Sequence, residues 1–243
     1  MKEGNEFDLE SKLCAMIVGD PGLGKTSLAL AFPGVYILDC DDNLRPAARF
    51  TKTTNFKYDV VNYDDDDEVL PAKRYQRMVD CTNAAAADPD VKTIVIDTLG
   101  TFCDNVFSEV KRQQKRADNM PMRIQDWGDF AYLVRNFFIR LKSSGKNVLV
   151  NSHNSRETDE ATKIMHTFIG IQGQNKDKLS GLFSDVWLLF AAQTGLGGNT
   201  KNIRKVRTVP VNANDHRGAK SSIGLPAELT LDELIKLIPT FAK

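Results

Sequence analysis

The chain has 243 residues, 42% apolar and 26% charged, with 32 basic and 32 acidic side chains; that suffices for one α/β domain with a core and is too short for two. No apolar run approaches the ~20 residues that cross a bilayer, and the polar start Met1-Lys2-Glu3-Gly4-Asn5 leads into no hydrophobic stretch, so the expectation is a cytoplasmic protein with no membrane contact. The zero net charge argues neither for nor against nucleic acid, and Cys14, Cys40, Cys81 and Cys103, with three histidines and no Cys-x-x-Cys, read as reduced thiols rather than zinc ligands.

Residues 1–12 read as an N-terminal arm. A strand-like run at 13–18 leads into a helical stretch at 26–32, and a second strand at 35–38 precedes a helix over about 72–87. A third strand at 93–96 is followed by Phe102, Val106, Phe107 and Val110 at helical spacing. Trp127, Phe130, Val134, Phe137, Phe138 and Leu141 mark a full amphipathic helix before the strand at 147–150. A fifth strand falls at 186–190, an added strand or hairpin at 199–211, and Leu231, Leu234, Leu237 and Ile238 close the chain as a helix. Near-continuous apolar strands alternating with helices imply a single α/β domain over 1–243. Its sheet is mainly parallel, covered by helices on both faces, with a C-terminal strand or hairpin extension.

Two stretches lack a period. Residues 62–68 carry five adjacent acids, Asp64 to Glu68, and read as a solvated loop. Residues 154–178 are polar, of mixed charge and glycine-containing, and read as a long irregular, mobile loop.

The chemistry starts at Gly19-Asp20-Pro21-Gly22-Leu23-Gly24-Lys25-Thr26, a Gly-x-x-x-x-Gly-Lys-Ser/Thr motif between a strand and a helix. Its glycines let successive N–H groups face phosphate oxygens, and the helix N-terminus adds its positive dipole end. ATP with Mg²⁺ is the expected ligand. Gly19 through Ser27 hold the nucleotide, Lys25 reaches the β- and γ-phosphates, and the Thr26 hydroxyl ligates the metal. Asp97 ends the buried strand Thr93-Ile94-Val95-Ile96 and is the second metal residue. Asp39, Asp41 and Asp42 end the second strand, where an acid can orient the attacking water. Asn151-Ser152-His153 end the fourth strand in polar groups, and one of them is expected to sense the γ-phosphate.

Motif order and spacing over about residues 8–226 resemble the RecA/Rad51 core, and more narrowly the short RecA-like ATPases of bacteriophages linked to single-strand annealing and recombination. Leu38-Asp39-Cys40-Asp41 is similar to the family's acid-x-acid, whose second acid activates water, which nominates Asp41. Val95-Ile96-Asp97-Thr98 is similar to its Walker B, and Val150-Asn151-Ser152-His153 falls where a polar sensor leads into a DNA-binding loop. The family's sensor glutamine is replaced by Ser152 or His153. The resemblance implies a sheet order of 5-1-4-3-2, and a DNA-binding role for 154–178 through Arg156, Lys163, Lys176 and Lys178, with His166 and Phe168 as stacking groups. It also implies a homo-oligomeric ring or filament in which Arg217 and Lys220 reach a neighbour's ATP. Single-stranded DNA, and a single-strand DNA-binding protein, are the implied partners. The expected activity is DNA-stimulated ATP hydrolysis. A replication-type helicase or loader, or a nucleotide-gated assembly protein without DNA binding, are the alternatives.

Overall fold

The computed structural model describes residues 12–64, 67–172, 179–194 and 201–242. Twelve strands and six helices occur among them: β1 (Cys14–Val18), α1 (Lys25–Ala29), β2 (Val35–Asp39), α2 (Leu44–Thr51), β3 (Lys57–Val60), β4 (Tyr63–Asp64), β5 (Asp67–Glu68), α3 (Pro71–Ala87), β6 (Thr93–Asp97), α4 (Leu99–Gln113), α5 (Asp126–Lys142), β7 (Asn147–Ser152), β8 (Asn154–Thr158), β9 (Met165–Ile169), β10 (Asp185–Thr194), β11 (Lys201–Arg207), β12 (Glu228–Thr230) and α6 (Leu231–Phe241). No helix among the described residues is long and apolar enough to cross a membrane.

Eight strands form one sheet in the order β12-β11-β10-β1-β7-β6-β2-β3. The five strands expected from sequence are β1, β2, β6, β7 and β10. They stand as 5-1-4-3-2, all parallel. β11 and β12 extend the β10 edge antiparallel, and β3 adds a parallel strand at the other edge.

Alternation along the buried strands sends successive side chains to opposite faces. Met16, Leu38, Ile96 and Val150 pack beneath α3, α4 and α5. Ile17, Ile37, Val95 and Leu149 pack on the other face with residues of α1, α2 and α6. The first layer is centred on aromatic rings: Phe102 lies 4.7 Å from Phe137 and 5.4 Å from Phe138, and Phe138 lies 5.3 Å from Phe183. α6 begins with a capping box in which Thr230 and Glu233 satisfy each other's backbone N–H groups.

Two expectations need correction. Residues 154–169 are not irregular: β8 and β9 pair antiparallel as a ribbon. Residues 173–178, with Lys176 and Lys178, lie outside the described residues. The acidic stretch is not simply a loop, because β4 and β5 pair at its ends and Glu68 meets Arg74 at 3.2 Å. Arg74 supplies the opposite charge that a run of acids alone lacks. The expected strand or hairpin at 199–211 is borne out: Lys201–Arg207 is a strand paired antiparallel with β10.

Phe102 is fully buried, so Phe102→Ala should cost about 3–5 kcal/mol. Urea unfolding should show a lower midpoint with unchanged slope; a loss below about 1 kcal/mol would mean the aromatic layer does not centre this face.

Candidate functional site

The site forms at the carboxyl ends of the central parallel strands. Register places Asp39, Asp97 and Asn151 in one row on adjacent strands β2, β6 and β7. That row ends beside the loop after β1, where ligands gather in open α/β sheets. The loop can turn so tightly because of its glycines. Gly22 and Gly24 have φ of 78° and 95°, a region that penalises a Cβ. A Cβ on Gly19 would lie 2.9 Å from the Leu189 carbonyl oxygen. The Gly19 N–H donates to the Ser152 carbonyl at 3.1 Å, tying the loop to β7.

Lys25 is buried, and its ammonium donates to the carbonyls of Gly19 (2.8 Å) and Asp20 (3.1 Å). Its third partner is His153 Nδ1, at 3.2 Å. Ammonium only donates, so Nδ1 accepts and the imidazole is neutral with its proton on Nε2. Burial and the adjacent Lys25 charge hold the His153 pKa below its usual value. Burial also lowers the Lys25 pKa, with the charges of Asp97, Asp20 and Asp41 opposing it.

The Thr26 hydroxyl donates to Asp97 Oδ2 at 2.7 Å. Burial raises the Asp97 pKa, while Thr26 and the neighbouring Asn151 amide pull it back. Asn151 is near enough to act on Asp97, but both its amide atoms are buried with no hydrogen bond within normal geometric limits. A hydroxyl and a carboxylate side by side, with an unsatisfied amide behind them, fit a hydrated Mg²⁺, which keeps several waters and takes few protein oxygens.

The three acids after β2 are separated by their surroundings. Asp39 is buried and accepts from the N–H groups of Asp41, Asn43 and Leu44 at 3.2, 3.3 and 3.0 Å. It fastens the start of α2, and burial pushes its pKa up to about 6. Asp42 is exposed, with φ of 53°. Asp41 accepts from the Thr98 hydroxyl through Oδ2 at 2.9 Å, while its Oδ1 is buried without a partner. Asp41 therefore presents an oriented carboxylate with one oxygen spare. The cleft of about 310 Å³ in front of these groups is lined by the glycine loop, Lys25, Thr26, Asp41, Asp97 and His153.

Arg217 and Lys220 are not in this cleft. The Arg217 guanidinium holds Asp215 with two bonds, at 2.8 and 2.6 Å, and Asn154 Oδ1 at 2.9 Å. Reaching a neighbouring chain would require surrendering that bidentate pair. The Lys220 backbone pairs with Val186, and its charge acts on Cys14 at the amino end of β1, away from the glycine loop. Phe168 is buried with its ring stacked on His216 at 4.7 Å. It is not available to a base, because that face is already covered.

Sequence reasoning missed the use of the Asp20 side chain. It accepts from Asn154 at 2.9 Å and Arg156 at 2.7 Å, and the Arg156 bond holds its carboxyl below the usual range. The sequence shows Asp20 only as a variable motif position. Phe50 and Arg204, which line the same cleft, were missed as well: one sits on a short helix and the other in a run of basic residues.

A glycine loop gripping its own lysine, a Thr–Asp pair beside it and a 5-1-4-3-2 parallel sheet define a RecA-like P-loop ATPase. A protein-family profile described as an AAA domain matches residues 11–211, and the chain belongs to that family. Among curated proteins no relative matches the sequence. Of solved structures, it is similar to a KaiC-like protein from the hyperthermophilic archaeon Pyrococcus horikoshii OT3, at 11% identity and a TM-score of 0.40, over 79% of this chain and 76% of that one.

The two carboxylates should separate in experiment. Asp41→Asn should keep the melting temperature and cut phosphate release about 10²-fold, the scale of a lost general base. Asp39→Asn should instead lower the melting temperature, since an amide oxygen cannot hold all three N–H groups, at a cost of about 1–2 kcal/mol. The reverse pattern would exchange their roles.

Proposed function

We propose that the chain is a Mg²⁺-dependent ATPase that couples its nucleotide state to single-stranded DNA, acting as a homo-oligomer in recombination or annealing. One observation carries the coupling. The His153 imidazole rests on Lys25, while its carbonyl accepts from the Gly170 N–H at 2.7 Å, and Gly170 follows directly on β9. A Cβ at Gly170 would meet that carbonyl at 2.7 Å, so the contact is backbone against backbone. β8 is bound to Asp20 through Asn154 and Arg156. The β8–β9 ribbon is thus attached to the phosphate loop at two points.

Mg²⁺·ATP supplies the transferable phosphoryl group and charge neutralisation. The chain's residues do the rest. Lys25 exchanges carbonyl partners for phosphate oxygens, Asp41 orients the attacking water through its spare oxygen, and Thr98 holds Asp41 in place. His153 loses its ammonium partner and passes the change to the ribbon. Lys163 is exposed at the turn of the ribbon and suits a phosphate backbone, whereas Arg156, also exposed, would have to release Asp20 to reach one.

The test is binding of labelled single-stranded DNA at two salt concentrations, with and without Mg²⁺·ATP, beside ATP turnover with and without DNA. Affinity should depend on ATP and fall steeply with salt. Lys176→Ala with Lys178→Ala should weaken binding and reduce the logarithmic salt slope by about 1.4, two contacts at ~0.7 each. Failure to bind DNA in any nucleotide state would leave the assembly-protein reading, and ATP-driven unwinding would favour the helicase.

A further inference from the structure

The cleft carries chemistry that phosphate binding does not use. Asn43, Pro46, Ala47 and Phe50 line it from the α2 side. Their spacing of three, four and seven residues places them on one face of that helix. Asn43 lies at the acid end. Phe50 lies seven residues on, about 10 Å further along the axis. Phe50 is 67% exposed.

Arg204 faces Phe50 from β11. Val206, two residues on, is buried in the layer containing α6 residues, so alternation puts Arg204 on that same face of the sheet. Its guanidinium carbon lies 5.2 Å from the centre of the Phe50 ring, a cation–π contact. Neighbouring Lys205 and Arg207 are both paired with Glu228, whereas Arg204 has no carboxylate partner among the described residues. The approach is close: a Cβ on Gly24 would sit 3.2 Å from the Arg204 guanidinium.

Resting on the reading of this cleft as a nucleotide site, we infer that Phe50 and Arg204 form the nucleobase jaw, stacking on the base of a nucleoside triphosphate with little discrimination between bases. Phe50 supplies an aromatic face and Arg204 a planar cation, both of which stack on any base. The spacing of 5.2 Å is a single contact and leaves no room for a base between them, so the base displaces Arg204 from the ring and takes its place. Selectivity requires groups that read a base's hydrogen-bonding edge. The side chains of Pro46 and Ala47 have none, Asn43 lies at the opposite end of α2, and a guanidinium stacked face-on keeps its in-plane donors off the edge of the base it covers.

The experiment compares ligands that contain or lack a base, in the full-length chain with Mg²⁺. Wild type should bind ATP, GTP and CTP with dissociation constants within about threefold, and should bind inorganic tripolyphosphate more weakly. Phe50→Ala should weaken ATP about tenfold or more, by the usual scale of base–aromatic stacking, and leave tripolyphosphate unchanged. Arg204→Ala should do the same in smaller degree. Phe50→Trp should retain ATP affinity and show fluorescence quenching with ATP but not with tripolyphosphate. Unchanged ATP affinity in Phe50→Ala, equal quenching by tripolyphosphate, or a strong preference for one base would overturn the inference while leaving the phosphate site standing. Loss of tripolyphosphate in Arg204→Ala would make that arginine a phosphate ligand and remove one side of the jaw. Wild type that binds neither ATP nor tripolyphosphate would overturn the nucleotide reading itself.

Discussion

Lys25 is the constraint on which the site depends. It carries a charge into a buried place, where solvation must be replaced. The replacement is two carbonyls of its own loop and one imidazole lone pair. The carbonyls can face the ammonium only because Gly22 and Gly24 accept positive φ. The imidazole can accept only while it is neutral, and the same burial and positive charge that need it keep it so. An anionic ligand changes this balance directly, since phosphate oxygens compete for the same three protons.

The carboxylates show that residue type alone does not assign a role. Asp39, Asp41 and Asp97 converge on one end of the sheet, yet their partners differ. Three backbone N–H groups make Asp39 a fastener of α2, and the Thr26 hydroxyl pairs Asp97 with the glycine loop. Thr98 holds one oxygen of Asp41 and leaves the other buried and spare. Strand register explains the convergence: Asp39 and Asp97 are opposite each other on β2 and β6, and the chain needs only two more residues to bring Asp41 to the rim.

Legibility in the sequence follows from how local the information is. The glycine loop has fixed spacing, and doubly covered strands are continuously apolar, so both could be read, and the strand order followed from the resemblance those motifs carry. The β8–β9 ribbon has no such mark. Its first strand, Asn154-Ser155-Arg156-Glu157-Thr158, is polar throughout, and its pairing is decided by contacts with residues 134 to 136 positions away in Asp20. α2 is one short helix with a single buried residue, Leu44, too little for a period to stand out. Arg204 reaches Phe50 only through the β10–β11 register, in which it lies opposite Ala191.

The ribbon's anchoring also bears on how nucleotide state could be transmitted. An isolated two-stranded ribbon is marginal in water. β8 and β9 form a sheet of their own, separate from the large one. Outside contacts hold them: Asn154 and Arg156 to Asp20, the Gly170 N–H to the His153 carbonyl, and the Thr167 backbone to Asn214 and His216. The first two attach it to the phosphate loop and to His153, which touches Lys25, and the third to a loop that Arg217 ties back to Asn154. A ribbon with little intrinsic stability takes its position from its anchors. Those anchors surround the one lysine whose partners a phosphate would replace, so a shift at the loop would act on the ribbon through them, against the hold of Ile169, which ends β9 in the core.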